Sequence, residues 1–280
     1  MPELPEVENI AITLRDLIQD KTLTKVTCLR PSIIRGPADK DLPVFLEKLK
    51  NKRITTITRR AKRLIISLQN SQAMVFQLGM TGKLLVHDFK KEIPKHTHII
   101  LHLKNNCQIN FADTRRFGKV WLFDKLDPNN PDPAMLNLGM GKLGPDATDI
   151  SEKAFNSILN STRMIKTLLL DQTRIAGLGN IYVDESLFAA GIHPEKPSIN
   201  ITPKQSKKLL KCIKSILKCA IRAGGTTIID FKNPYGDMGL FHKRLQVYAR
   251  SGQPCNICKT VIEKMVISGR STHICPTCQE

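Results

Sequence analysis

Two hydrophobic periods divide the chain. Val7, Ile10, Ala11, Leu14, Leu17 and Ile18 recur at helical spacing, which predicts one amphipathic helix from about Pro5 to Gln19. Pro5 suits its first turn, and Glu6 and Glu8 suit the positive end of its dipole. From Lys25 to about Asp124 the period shortens, and β-branched and apolar residues gather in short runs. These are Arg53–Thr58, Leu64–Leu68, Ala73–Phe76, His98–Leu103, Cys107–Phe111 and Lys119–Phe123. A Lys104-Asn105-Asn106 turn would make a hairpin of the fourth and fifth. Many short strands with turn punctuation predict a β-sandwich or barrel with the first helix packed on it.

From Pro128 to Pro145 the texture is Pro, Asn, Asp and Gly, the composition of a linker. The helical period then returns over Ile150–Leu159, Thr162–Leu170 and Ile181–Ala189, the last stopping at Gly191. Thr202-Pro203-Lys204-Gln205 is a capping box with proline at the first helical position. It opens a helix with apolar Leu209, Leu210, Ile213, Ile216, Leu217, Ala220 and Ile221, which Gly224-Gly225 ends.

Composition narrows the class. Across 280 residues, 41% hydrophobic, a sizeable core is available, and the length suits two domains with a small third. Lys and Arg number 43 against 25 Asp and Glu, a net charge of +18, which points to a polyanionic partner. No apolar run approaches the roughly 18 residues of a membrane span. The acidic first fifteen residues do not read as a signal peptide. The expectation is a soluble, intracellular protein. Eight cysteines are too sparse for a disulfide scaffold, which suits a reducing compartment.

Four of those cysteines have metal-ligand spacing. Cys255-x2-Cys258, sixteen residues and Cys275-x2-Cys278 fit one tetrahedral, closed, structural Zn2+ on a ribbon. A redox pair is disfavoured, because neither motif lies in a thioredoxin-like pattern. His273 is expected to be a hairpin side chain rather than a spare ligand. Cys28, Cys107, Cys212 and Cys219 lack ligand spacing and read as core or near-core thiols.

Other motifs are open to two readings. If Met1 is removed, Pro2 becomes a terminal secondary amine, a nucleophile that forms Schiff bases. Glu3 is then in reach as acid or base, and the helix dipole would favour the free amine. The same residues also serve simply to start a helix. Gly177-Leu178-Gly179-Asn180 suits either a phosphate at a helix N-terminus or a plain helix–helix turn. Arg59-Arg60-Ala61-Lys62-Arg63 is either a basic patch or a charge-guarded strand edge. Strand alternation would send Arg59, Ala61 and Arg63 one way, and Arg60 and Lys62 the other. Gly79-Met80-Thr81-Gly82 and Asp113-Thr114-Arg115-Arg116-Phe117-Gly118 put Met, Arg and Phe at turns, where such side chains can fill a vacated base site.

Taken together these stretches resemble the formamidopyrimidine-DNA glycosylases, from Pro2-Glu3-Leu4-Pro5-Glu6-Val7-Glu8 to the last cysteine pair. Lys95-His96-Thr97-His98, Gly177-Leu178-Gly179-Asn180-Ile181-Tyr182 and Leu245-Gln246-Val247-Tyr248 carry the likeness between. The resemblance implies a multi-domain α+β fold. Residues 1–127 would form a catalytic β-sandwich with a leading helix, 128–148 a linker, 149–243 a helix–two-turns–helix DNA-binding domain with a lesion-covering loop, and 244–280 a zinc ribbon. DNA would lie in the cleft between the lobes.

By the same resemblance Pro2 is the nucleophile at C1′ of the damaged nucleotide and Glu3 assists sugar ring opening. Lys62 donates the proton of β-elimination, and Arg270 serves the second, δ, elimination. A guanidinium with a pKa above about 12 is a poor proton donor, so clamping the leaving phosphates is the easier role for Arg270. His96, Arg116 and Asn180 would hold the DNA backbone. Met80, Arg115 and Phe117 would fill the gap left by the flipped base, with Arg115 facing the orphan cytosine. Gly224-Gly225-Thr226-Thr227 and the stretch from Phe231 to Phe241 would form the covering loop. Where the family often has a DNA-contacting lysine, this chain reads Ser161-Thr162-Arg163, and no contact is carried over there.

The implied activity is excision of oxidised purines from double-stranded DNA, with strand cleavage at abasic sites. The implied context is a monomer in the bacterial cytoplasm, associated with the nucleoid through DNA and not with membrane. Two alternatives remain: the endonuclease VIII type, which prefers oxidised pyrimidines, and a non-catalytic zinc-ribbon nucleic-acid-binding protein. The Met/Arg/Phe set argues against the first, and Pro2-Glu3 has no purpose in the second.

Overall fold

The structure, a computed structural model, describes residues 2–36, 41–89, 92–104, 106–137, 140–228 and 230–280. Met1, whose removal the amine chemistry requires, Asn105 of the expected turn and Gly139 of the expected linker lie outside the described residues. The chain divides into two compact units. One holds residues up to Lys142 together with Gly224–Leu240, and the other holds Leu143–Ala223 with Phe241–Glu280.

In the first unit, helix α1 (Leu4–Ile18) buries Val7, Ile10, Ala11, Leu14 and Ile18 of the expected stripe together with Leu4, while Leu17 is partly buried against the same core. Among the described residues nine strands follow: β1 (Thr22–Cys28), β2 (Ile34–Arg35), β3 (Lys52–Arg60), β4 (Arg63–Leu68), β5 (Ala73–Gln77), β6 (Lys83–Asp88), β7 (Thr97–Leu103), β8 (Cys107–Ala112) and β9 (Lys119–Phe123), with helix α2 (Leu42–Lys48) between β2 and β3. Their order is β2-β9-β5-β4-β3-β1-β7-β8-β6. At the middle, β1 meets β3 only through Thr22 opposite Arg53 and Leu23 opposite Lys52. The sheet folds over at that narrow seam. Leu64, Ile66, Phe76 and Val120 of one half then share a core with Val26, Ile99, Leu101 and Phe111 of the other, together with α1. Phe76 meets Phe111 edge-on across this core, with ring centroids 5.6 Å apart. The expected sandwich is therefore two halves of one continuous sheet.

Strand β4 is buried at all six positions, so it is covered on both faces. Its outer face belongs to the segment read as a linker. Ile65, Ala73, Val75, Trp121 and Phe123 pack with Leu126, Met135 and Met140, and helix α3 (Asp132–Asn137) lies within that segment. Residues 128–137 and 140–142 are thus a strap over the sheet rather than a free connection. Its Pro and Asn content obscured the few apolar anchors that matter. Strands β1, β2 and β6 and helix α2 also escaped the sequence reading. β6 shows why, because only Leu84 of its six residues is buried and the rest are partly or fully exposed.

The second unit contains α4 (Glu152–Leu159), α5 (Ile165–Leu170), α6 (Asn180–Ala190), α7 (Pro203–Arg222) and the hairpin β10 (Glu263–Ile267) with β11 (Arg270–Ile274). The box at Thr202 and Gln205 caps α7 as expected, and Gly191 ends α6 at φ 73°. Helix α5 starts three residues later than the pattern suggests, because Met164, at ψ 136°, is not helical and bridges to Pro197. Among the described residues, no helix is long and apolar enough to cross a membrane.

Candidate active site

Pro2, Glu3 and Glu6 are all buried at the start of α1. Glu3 is the N-cap. Its carboxylate accepts the Glu6 backbone N–H, and Glu6 Oε2 accepts the Glu3 N–H at 2.8 Å. This is a capping box built from two acids, which meets the positive end of the dipole with both carboxylates. The other Glu6 oxygen, Oε1, accepts the N–H of Thr226 at 2.7 Å. Glu6 therefore ties the terminus to the glycine loop some 220 residues later, a role that its helix-dipole reading missed. Gly225 is required there. It sits at φ 84°, and a Cβ would stand 3.0 Å from Glu6 Oε1.

The loop after Gly225 closes on itself through Thr226 opposite Leu240, and the Thr227 hydroxyl donates to the Phe231 carbonyl at 2.9 Å. Phe231 enters the main core, and Val86 of β6 donates to the Pro234 carbonyl at 3.0 Å. These contacts place Gly224–Leu240 in the sandwich unit, although the chain order suggested the end of the helical domain. Ile228, Tyr235, Met238 and Leu240 are exposed on it.

The basic hairpin β3–β4 is mostly structural. Arg59 donates to Glu8 of α1 at 2.8 Å and to the Ala61 carbonyl at 3.0 Å. Arg60 pairs with Asp132 of the strap at 2.7 Å, and Arg63 donates to the Met140 carbonyl. Burial pushes the Arg63 pKa down from its ordinary value, with Asp132 opposing that shift. Arg60 and Arg63 thus face the same way, against the alternation expected. They are paired opposite each other across a two-residue turn, and directly opposed residues share a face. Lys62, half-buried, occupies that turn beside Ala61, which adopts φ 54°. The Glu8–Arg59–Ala61 chain of contacts fixes the turn against α1.

Met80, Arg115 and Phe117 come together at one tip. Asp113, buried beneath it, organises the two loops. The Thr81 hydroxyl donates to one of its carboxylate oxygens, and the Gly118 N–H donates to the other at 2.7 Å. The Asp113 N–H donates to the His96 carbonyl at 3.0 Å, and the Arg115 N–H donates to the Thr81 hydroxyl at 3.0 Å. Gly118 leaves no room for a side chain, since a Cβ would lie 2.6 Å from Phe111 Cζ. Met80 is 40% exposed and Phe117 52%, with the Arg115 guanidinium 4.9 Å from the Phe117 ring centre. Exposed His96 and Arg116, both at positive φ, flank them.

In the second unit the turn before α6 is held by Gln172, which accepts from Gly177 N–H at 3.0 Å and donates to the Leu178 carbonyl at 2.8 Å. Asn180 opens α6 and donates to the Ser271 carbonyl at 2.7 Å, next to exposed Arg270 on β11. The same carbonyl accepts from Lys166 Nζ at 3.1 Å. Lys166 and Asp184, both fully buried, pair at 2.6 Å, and Asp184 also takes the His273 backbone N–H at 3.0 Å. His273 contacts Asp184 and stacks edge-on against Tyr248 at 5.0 Å, so it is the hairpin side chain anticipated. Buried Glu185 accepts the N–H groups of Gln246, Val247 and Tyr248, while burial pushes its carboxyl up. Arg163 is paired with Asp171 at 2.7 Å.

The sulfurs of Cys255, Cys258, Cys275 and Cys278 all lie within 4.8 Å of one another. Cys255 to Cys278 is 4.0 Å and Cys258 to Cys275 is 3.3 Å. These values bracket the edge of about 3.8 Å that a tetrahedron with Zn–S bonds of about 2.3 Å requires. Hydrogen bonds from Thr260 pull the Cys258 thiol down to about 6, whereas burial pushes Cys275 and Cys278 up. A divalent cation is what such a set needs to ionise together. The donor set fits one structural zinc. Cys28 and Cys107 pack against the sandwich core, and burial pushes those two thiols and Cys212 up.

Three family models match in series: the formamidopyrimidine-DNA glycosylase N-terminal domain over residues 1–120, the H2TH domain of the same enzymes over 143–232, and the zinc finger found in FPG and IleRS over 252–280. The formamidopyrimidine-DNA glycosylase of Shouchella clausii is 41% identical over 280 residues, covering 100% of this chain and 99% of that one. The Lactococcus lactis Fpg bound to DNA containing an abasic site matches at 33% identity and TM-score 0.89, with 100% of both chains covered. A point mutant of that protein in complex with DNA containing Fapy-dG matches at 34% and 0.89, again over both whole chains.

Proposed function

The chain belongs to the formamidopyrimidine-DNA glycosylases, DNA-repair enzymes, and from that premise we propose that it excises oxidised purines through a Pro2 Schiff base and cleaves the strand. The observation that supports this most is the acid box at the start of α1. Pro2 is placed one residue before a buried carboxylate whose backbone and side chain are both fixed by Glu6. An amine there, freed by loss of Met1, attacks C1′ as the bond to the base breaks. Glu3 supplies the proton that opens the sugar ring. The resulting imine acidifies the C2′ proton, and its removal expels the 3′ phosphate. Lys62, held at a turn braced to α1, is the proton donor of that β-elimination. Arg270 clamps the phosphate leaving in the second elimination.

His96, Arg116 and Asn180 hold the backbone of the duplex. Met80, Arg115 and Phe117 fill the space left by the flipped nucleotide, and their common tip above Asp113 supports that role. The loop Gly224–Leu240 covers the extruded base. The DNA-bound relatives from Lactococcus lactis support damaged duplex as the partner.

Borohydride reduction tests the chemistry. A covalent adduct should form with 8-oxoguanine:C duplex, and Pro2→Gly should reduce or abolish it. Absence of any adduct from Met1-free protein sinks the Schiff base. Faster trapping on thymine glycol:A than on 8-oxoguanine:C would transfer the chain to the pyrimidine-preferring relatives.

A further inference from the structure

Helix α7 carries Lys204, Lys207, Lys208, Lys211, Lys214, Lys218 and Arg222 and no acidic residue. At 3.6 residues per turn all seven fall within an arc of about 120°. Ser206, Leu209, Ile213 and Leu217 are buried on the opposite side. Several cations elsewhere in the chain are paired. Arg15, Arg53, Arg59, Arg60, Arg163 and Lys166 each meet a carboxylate at 2.6–2.9 Å. Among the described residues, none of the α7 cations takes part in an ion pair.

This arrangement works against the helix itself. Like charges at i+3 and i+4 repel, and Lys204 and Lys207 stand at the positive end of the dipole. A solvated face would be more stable with acids interleaved. Around Lys208 the stripe lies apart from the Asn180–Arg270 face. Lys208 Nζ is 3.8 Å from the Cβ position of Gly191, at the C-terminal end of α6, whereas Asn180 is at the other end. Eleven helical residues separate the two ends by about 16 Å.

We propose that the α7 stripe is a second track for the phosphate backbone of duplex DNA. It engages an undamaged segment while the lesion-bearing segment is held elsewhere. The inference rests on the reading above only in assigning Asn180 and Arg270 to the lesion segment. Duplex DNA fits better than an acidic protein, because the exposed arc offers cations and Ser215 but no apolar anchor. Protein partners need such anchors, whereas counterion release by itself binds DNA. The helix is about 30 Å long, close to one duplex turn of about 34 Å.

The test uses the whole protein saturated with a 13-base-pair duplex carrying an abasic-site analogue. A labelled, undamaged 30-base-pair duplex is then titrated in at several salt concentrations. The saturated protein should take up the second duplex. The combined variant Lys204→Gln, Lys207→Gln, Lys211→Gln and Lys218→Gln should bind it at least tenfold more weakly at low salt. The slope of log K against log salt should shrink by about 3 to 4 in that variant. Affinity for the first duplex should stay within twofold, which separates failure of the stripe from failure of the lesion site. The corresponding four Lys→Arg changes should retain uptake, controlling for folding. No uptake by the saturated wild type, an unchanged slope in the Gln variant, or parallel loss of both duplexes would overturn the proposal. Displacement of the second duplex by polyglutamate at equal charge concentration, with the reverse exchange absent, would overturn it in favour of an acidic protein.

Discussion

The N-terminal corner, buried, and the β10–β11 hairpin, exposed at Arg270, face the same demand, which is to hold a charged side chain still. They meet it by different means. At the corner, Glu3 and Glu6 cap each other within one helical turn, and a single distant contact, Thr226 N–H to Glu6, adds the loop. At the hairpin, Arg270 and Ser271 pair locally with Ile267 and Val266, but what holds the hairpin to the helices is far away in sequence. The zinc cysteines gather the ribbon, and the Lys166–Asp184 pair clips β11 from α5 and α6. Local reciprocity is sufficient where a helix start provides the geometry. A short hairpin has almost no core of its own and needs a metal and a buried ion pair.

The strongest way to break this contrast is at the metal. Structural zinc contributes roughly 10–16 kcal/mol of binding energy in small finger peptides, so the ribbon should not survive its loss. Cys255→Ser should release zinc, disorder the hairpin and weaken damaged-duplex binding by about a hundredfold or more. Metal analysis and a binding titration on the same sample check this. Unchanged metal content and affinity would remove the cysteines from the argument. The corner, built without metal, should keep its contacts, so limited proteolysis should cut the ribbon and spare the sandwich.

Next is the buried pair. Replacing one member of such a pair leaves an uncompensated charge and destabilises by about 3–5 kcal/mol. Lys166→Met should show that loss in urea melts. The double change Lys166→Met with Asp184→Asn should recover part of it, because no buried charge is stranded. Non-additivity of this sign identifies the clamp, whereas two additive losses would mean that each residue acts alone.

The contrast also explains what could be read from the chain. Pro5, Glu6, Glu8 and the helically spaced stripe from Val7 to Ile18 announce α1, since all of that is local, whereas the Glu3–Glu6 cap was not read. The cysteine spacing announces the ribbon for the same reason. Lys166, Asp184 and Asp113 carried no such signal. A lysine and two aspartates look like surface residues until α5, α6 and β11, or the two tip loops, are assembled around them. The strap over β4 was hidden likewise, because Met135 and Met140 are isolated apolar residues among Pro, Asn and Gly. Arg60 and Arg63 were misassigned to opposite faces because alternation was carried through a turn that resets it. Met80, Arg115 and Phe117, named from motifs, share one tip, but Asp113, which organises that tip, was not legible as its support.

The smallest and most informative change is at Glu6. Glu6→Gln keeps the volume and the helix but turns one of two acceptor oxygens into an N–H donor. Both oxygens now face backbone N–H groups, those of Glu3 and Thr226, at 2.8 and 2.7 Å. One of these contacts must therefore become donor against donor. A hydrogen bond to a charged group contributes about 1.5–3 kcal/mol, so the corner loosens without threatening the fold. If the flipped side is the Thr226 contact, the loop Gly224–Leu240 detaches. Borohydride adducts should then form roughly tenfold or more slowly on 8-oxoguanine duplex, but at nearly wild-type rate on a pre-formed abasic site, which presents no base to cover. If the Glu3 contact is lost, both substrates slow together. Equal, unimpaired rates on both would show that Glu6 is only a helix cap, and the tie between terminus and loop would have no bearing on the chemistry.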